Sequence, residues 1–437
     1  LSVRARAAAA PFTAEGAGGW AGALLAGAGV FMLVNTLALF GRLDDTRTLV
    51  PFAAWAACAL AGWFTLARTT ADRLPYALAM AMSGWGLLIT ARLLPEFGLR
   101  QALWLVVATA GFIALLRIAR VLVWLRAYRY TLLVCSLLLI ALTIVAGTNP
   151  SAIPGAPRLW ISIGEAYVQP SEPLKLIMVA FLASYLAEQS PLLRARLPQR
   201  GWQRISPRTI GPLVLMWALS IVFLVLQRDL GAAMLFFIVF VVLVYVASGS
   251  RLVVVVGLGL VAIAAIGAYF AFSVVALRID IWLNPWPEAD GRAYQIVQSL
   301  MAIASGGIGG SGIGRGVPGF IPVAHSDFAF AALAEEWGLL SVVALLAMSA
   351  GFTSRGITIA LRHERALFEC LLAVGLTTLF AVQSLLIMGG VLKLIPLTGV
   401  TLPFVSYGGS SLVVNFALVG LLTRLSALAS RDASGPA

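Results

Sequence analysis

The chain has 437 residues, of which 61% are hydrophobic and only 11% charged. A soluble domain averages about 45–50% apolar and about 25% charged residues, so a water-soluble enzyme, a disordered chain and a fibrous protein are excluded, and no polar stretch is long enough for a large soluble domain. The net charge of +12 lies in short arginine clusters between apolar runs, a pattern that sets membrane topology rather than one that binds nucleic acid.

A spanning helix needs roughly 20 apolar residues. Apolar runs near 19–41, 50–67, 75–94, 101–118, 130–147, 171–188, 209–226, 230–248, 252–276, 331–353, 367–389 and 409–427 predict twelve transmembrane helices. Lipid offers no partner to an open strand edge, which makes the expected class an all-α polytopic membrane protein. Leu1 to Gly18 carries Arg4 and Arg6, and no small-x-small cleavage site follows the first run. That run reads as a span rather than a removed signal.

Alternate loops then collect arginine: Arg68 and Arg73, the four between Arg117 and Arg129, the five between Arg194 and Arg208, and Arg355, Arg362 and Arg365. The positive-inside bias puts these loops and both termini in the cytoplasm. Residues 277–330 become one long extracytoplasmic loop. Trp282, Trp286, Tyr294, Phe320 and Phe328 within it are more aromatic than a disordered linker, which predicts a folded, partly mobile lid or re-entrant element. There is no internal repeat to support an inverted-repeat transporter. Cys58, Cys135 and Cys370 and the two histidines lack zinc-ligand spacing, so neither a metal site nor a disulfide framework is expected.

Polar residues gather at the predicted outer face. The first cluster runs from Gly155-Ala156-Pro157-Arg158-Leu159-Trp160-Ile161 to Gln169-Pro170-Ser171-Glu172-Pro173-Leu174-Lys175. Ser171 can cap the following helix, and Pro173 fits its first turn. Glu172 and Lys175, at i and i+3, share one helical face. Lys175 and Lys393 are the only lysines in the chain. A cap with a snorkelling lysine is one reading. An ionisable pair that opens an apolar span is costly and suggests function instead. The second cluster is Gln227-Arg228-Asp229-Leu230-Gly231, either a solvated hairpin tip or part of a site.

The third cluster spans the long loop: Arg278, then Asn284-Pro285-Trp286-Pro287-Glu288-Ala289-Asp290-Gly291-Arg292-Ala293-Tyr294-Gln295, then Gln298-Ser299, His325-Ser326-Asp327-Phe328 and Glu335-Glu336-Trp337-Gly338. Arginine grips phosphate with a planar fork. Gly-rich backbone, dense between Gly306 and Gly319, lets amides approach an anion. A carboxylate can deprotonate a sugar hydroxyl. Pro403-Phe404-Val405-Ser406-Tyr407-Gly408-Gly409-Ser410-Ser411 opens the last span, either as close helix packing or as the wall of a site.

Taken together, GAPRLWI, QPSEPLK, QRDLG, NPW…DGRAYQ..QSL, AHSDFAF…EEWG and LPFVSYGGSS resemble, in order, the SEDS family (shape, elongation, division and sporulation) over roughly residues 75–430. The resemblance implies a peptidoglycan glycosyltransferase of the bacterial cytoplasmic membrane that polymerises lipid II and works with a class B penicillin-binding protein. It implies a ten-helix core, within residues 71–437, preceded by two additional N-terminal spans within 1–70. The family typically carries a DPxGxGYQ-like segment whose aspartate is essential. Gapless alignment on Asn284-Pro285 and Tyr294-Gln295 puts Glu288 at that aspartate. Asp290 is the nearest aspartate, so position favours Glu288 and chemical identity favours Asp290. Arg158, Lys175, Arg278 or Arg292 would contact the lipid pyrophosphate. Glu172, Asp229, Gln295, Gln298, His325, Asp327 and Ser406 complete the expected substrate-binding set. A divalent cation, Mg or Mn, could assist, but no ligand spacing shows one. Membrane lipids, not nucleic acid, are the remaining expected partner. The alternatives are a flippase for the same lipid and a non-catalytic scaffold for the penicillin-binding protein.

Overall fold

The structure is a computed structural model that describes residues 14–43, 49–149, 159–164, 166–196, 207–226 and 229–434. Its helices are α1 (Ala14–Leu43), α2 (Leu49–Ala67), α3 (Leu74–Leu93), α4 (Pro95–Arg117), α5 (Val121–Ala127), α6 (Arg129–Ala146), α7 (Ser171–Arg196), α8 (Pro207–Leu226), α9 (Leu230–Ser248), α10 (Arg251–Ala271), α11 (Ser273–Leu283), α12 (Tyr294–Gly306), α13 (Ala329–Arg362), α14 (Leu367–Val391) and α15 (Gly409–Ser434). Every predicted apolar run falls on helix, but the run 252–276 is divided at the extended Phe272 into α10 and α11, and the run 331–353 contains a break at Gly338.

Among the described residues, ten helices are long and apolar enough to cross a membrane. The other two of the expected twelve are α7 and α8. Helix α7 carries Glu172, Lys175 and Glu188 within its first 18 residues. In α8 the shorter apolar stretch is Trp217–Leu226. Twelve spans is therefore an approximate count for an all-α polytopic fold. A short antiparallel hairpin, β1 (Ile161–Ile163) with β2 (Ala166–Val168), pairs Ile161 with Val168 and was outside the all-helical expectation. Alternation in Ile-Ser-Ile suits a strand, but three residues are too few to stand out from an apolar loop.

The chain forms two compact units. One comprises residues 1–118, 295–362 and 401–437, and the other 119–294 and 363–400. In the first unit Tyr76 stacks on Phe112 at 4.6 Å, and its hydroxyl donates to the Cys58 carbonyl at 2.7 Å. Arg355 and Asp72 form a buried ion pair, and the Asp72 amide donates to Ser426 Oγ at 2.9 Å. The α2–α3 turn is thereby tied to α13 and α15. In the second unit Arg129 forks onto Glu188 at 2.5 and 2.6 Å and also donates to Ser184 at 2.7 Å, joining α6 to α7.

Helix α13 is interrupted. Gly338, at φ 69° and ψ −165°, leaves the helical region in its middle, a conformation that favours glycine. The loop after α12 threads the break. The amides of Ser311 and Gly312 donate to the carbonyls of Glu335 and Glu336, both at 2.9 Å, and the Leu339 amide donates to Gly307 at 2.9 Å. Backbone groups freed by the break are thus re-satisfied by protein, as the membrane interior demands. The glycine run serves this purpose. The expected anion cradle is not what the Ser311 and Gly312 amides do, because they are already bonded to α13.

Candidate active site

In the second unit, α7 opens with Glu172 and Lys175 one turn apart. Lys175 Nζ meets Glu172 Oε1 at 2.7 Å and Gln383 Oε1 of α14 at 3.4 Å. Both members of the ion pair are buried, and among the described residues Glu172 Oε2 has no hydrogen-bond partner. Ser171 accepts from the Gln169 side chain at 2.9 Å.

Asp229 N-caps α9: its Oδ1 accepts from the Ala232 amide at 3.1 Å. The hairpin-tip reading thus becomes a helix cap. Burial pushes the Asp229 carboxyl above the usual carboxylate range, against the Ala232 amide and the Lys175 charge, which pull it down. Glu172 and Arg278 also act on it. The structure thus brings four of the predicted residues, Glu172, Lys175, Asp229 and Arg278, into one electrostatic cluster. Arg278 is fixed on α11 by donating to the Thr398 carbonyl at 3.2 Å. Lys393, in the same segment as Thr398, takes a left-handed φ of 59° and accepts from Trp282 Nε1 at 3.1 Å.

Glu288 and Arg292 lie on the turn between α11 and α12. Arg292 donates to Glu288 through NH2 at 2.7 Å and Nε at 3.2 Å. These bonds hold the Glu288 carboxyl below the usual carboxylate range and raise the guanidinium. Both side chains reach solvent. Asp290, two residues on, is exposed.

The remaining candidates belong to the first unit. Gln295 and Gln298 sit on α12. The His325 carbonyl accepts from the Tyr407 amide at 2.8 Å, and its ring meets Phe97 edge-on at 5.1 Å. Phe97 in turn stacks on Tyr407 at 4.7 Å. Burial lowers the His325 imidazole below 6.5. Asp327 accepts from Ser326 Oγ at 3.2 Å. The Ser406 hydroxyl donates to the Ser326 carbonyl at 2.5 Å and accepts from the Leu402 amide at 3.0 Å, which holds the loop before α15. Arg158, Gln227 and Arg228 lie outside the described residues.

Sequence reasoning missed Gln383 and Thr398. Gln383 had a readable signal, an amide inside the apolar run 367–389. Thr398 acts through its backbone carbonyl, for which side-chain identity gives no clue.

A buried ion pair, a capped aspartate and a fixed arginine suit an anionic ligand. A model of the cell cycle protein family of FtsW, RodA and SpoVE matches residues 79–431. The chain belongs to this family. Its relatives include the peptidoglycan glycosyltransferase RodA of Mycobacterium tuberculosis, 37% identical over 330 residues, or 75% of this chain and 70% of that protein. Stage V sporulation protein E of Bacillus subtilis is 35% identical over 339 residues, or 76% of this chain and 87% of that protein. Among solved structures, a chain from a peptidoglycan synthase complex that coordinates polymerization and crosslinking matches with a TM-score of 0.65 at 28% identity, over 83% of this chain and 98% of that one. The crystal structure of RodA from Thermus thermophilus matches with a TM-score of 0.58 at 28% identity, over 84% and 98%. This RodA–FtsW–SpoVE relative is a multi-pass bacterial membrane protein. The matched segment begins within α3 and leaves α1 and α2 outside it.

Proposed function

We propose that the chain polymerises lipid II into glycan strands at the outer face of the cytoplasmic membrane, by an inverting displacement with a carboxylate of the Glu288–Asp290 turn as general base. Its activity class is peptidoglycan glycosyl transfer, carried by 37% identity over 75% of the chain to a protein of that name. The positive-inside bias supports cytoplasmic termini and a Glu288 turn on the outside.

In this reading the carboxylate takes the proton of the acceptor sugar 4-hydroxyl. The oxygen attacks the anomeric carbon of the donor, the bond to the pyrophosphate breaks, and the α-linkage becomes β. Arg278 and Arg292 lie on one unit and supply positive charge for the departing pyrophosphate, while Lys175, buried against Glu172, holds the start of α7 in place. The Glu288–Arg292 pair gives the order of events a physical basis. While Arg292 holds it, Glu288 is a weak base. When the guanidinium turns to a phosphate, the carboxylate regains basicity beside the acceptor. A divalent cation, Mg or Mn, would add charge there. Among the described residues no group of three or more His, Cys, Asp and Glu side chains is placed to hold one.

A class B penicillin-binding protein is the proposed partner, supported by the likeness to a chain of a synthase complex that couples polymerization to crosslinking. The test supplies purified protein with labelled lipid II and that partner. Glycan polymer is the expected product. Translocation of lipid II across vesicles without polymer would replace this reading with a flippase, and neither activity would leave a scaffold.

A further inference from the structure

The first two spans carry hydrogen bonds that a passive membrane anchor does not need. Asn35 lies within the apolar α1, where an unbonded amide is costly. Its Oδ1 accepts from the indole Nε1 of Trp337 at 3.1 Å, and its Nδ2 donates to the Phe31 carbonyl at 2.8 Å. The Phe31 ring stands edge-on to Trp85 at 5.2 Å and lies 6.2 Å from the Trp337 ring. From α2, Trp55 Nε1 donates to the Met80 carbonyl of α3 at 2.8 Å.

Trp337 is the residue before Gly338, at the break in α13. Glu336 beside it is fully buried and pairs with Arg92 of α3 at 3.3 Å. Arg92 also donates to the Gly316 carbonyl at 3.3 Å, and Glu335 accepts from the Val317 amide at 2.7 Å. The loop threaded through the break continues α12, the helix of Gln295 and Gln298. Asn35 therefore grips the point on which this loop is anchored.

We infer that α1 and α2, which the family match leaves out, form a brace that positions the break in α13 and the loop after α12, with Asn35 and Trp337 as positioning residues. The activity arm of its test rests on the polymerase reading above; the structural arm does not.

The parent for the test is the full chain with Ser311→Cys, Cys135→Ser and Cys370→Ser. Its thiol labelling rate reports loop docking, since Ser311 Oγ now bonds the Glu335 carbonyl at 3.0 Å. Adding Asn35→Leu should speed labelling and lower kcat, each roughly tenfold, as loss of a positioning contact does, with a smaller change in KM for lipid II. Asn35→Gln, which keeps the amide, should recover most of both. Trp337→Phe removes the same bond from the other side. Combined with Asn35→Leu it should add no further loss, and it serves as the test variant if Asn35→Leu does not fold. Labelling and kcat at parental values in both variants, or faster labelling with unchanged kcat, would overturn the positioning role. Unmodified protein that makes no polymer defeats the polymerase reading, while labelling of the parent and its variants still decides the brace.

Discussion

Two ion pairs of the second unit have the same 2.7 Å separation and opposite surroundings. The Lys175 and Glu172 side chains are 4% and 7% exposed, those of Arg292 and Glu288 63% and 42%. Distance alone would rank them equal. In the buried pair, removal of one partner leaves an uncompensated charge out of water. In the exposed pair, water and salt take over at once. The first pair is therefore a fixed part of the scaffold. The second is exchangeable, and a carboxylate that can change partners is what a general base requires.

The largest expected effect tests the exchangeable pair. Glu288→Gln should lower lipid II polymerisation about 10²–10⁴-fold, the usual loss for a general base, and Asp290→Asn less. Rates for purified variants with the partner present decide it. Loss of polymer in Asp290→Asn with near-normal rates in Glu288→Gln would move the base to Asp290.

The buried pair comes next. Lys175→Met alone should destabilise the protein by about 3–5 kcal/mol, read by thermal unfolding in detergent. Adding Glu172→Gln should return most of that stability but not the polymerisation rate. An undiminished Lys175→Met would erase the contrast between the pairs. Arg292→Ala should sharpen it: an unchanged melting temperature, with a higher KM for lipid II. The smallest effect concerns pH. His325 titrates below 6.5 in the folded protein, so the unfolded chain binds the extra proton first and stability falls as pH drops through about 6.5. His325→Gln should flatten that slope in melting curves recorded at graded pH.

The helices were legible because lipid imposes long apolar runs; α9 begins at Leu230 and ends at Ser248, as its run does. Glu172 and Lys175 were legible as a pair because i, i+3 spacing settles which face they share. What was hidden is what depends on tertiary closure. The run near 331 gives no sign that α13 starts at Ala329 and breaks at Gly338, since a glycine within a helix usually continues it. The threading of residues 307–312 through that break is a backbone event without a side-chain signature. Asn35 was legible only as one polar residue in an apolar run, because its partner lies 302 residues away.

The buried pair of Asp72 and Arg355 has a consequence for biosynthesis. Its members are 283 residues apart. At about 5–20 residues per second of synthesis, Asp72 leaves the ribosome roughly 15–60 s before its arginine. Throughout that interval the α2–α3 turn must keep its carboxylate in water, so the hairpin cannot settle into its final depth. Arg355 ends the wait from near the C-terminal end of α13, and α15, which brings Ser426 to the Asp72 amide, emerges later still. The turn that precedes the matched family segment is thus among the last parts of this unit to become dry.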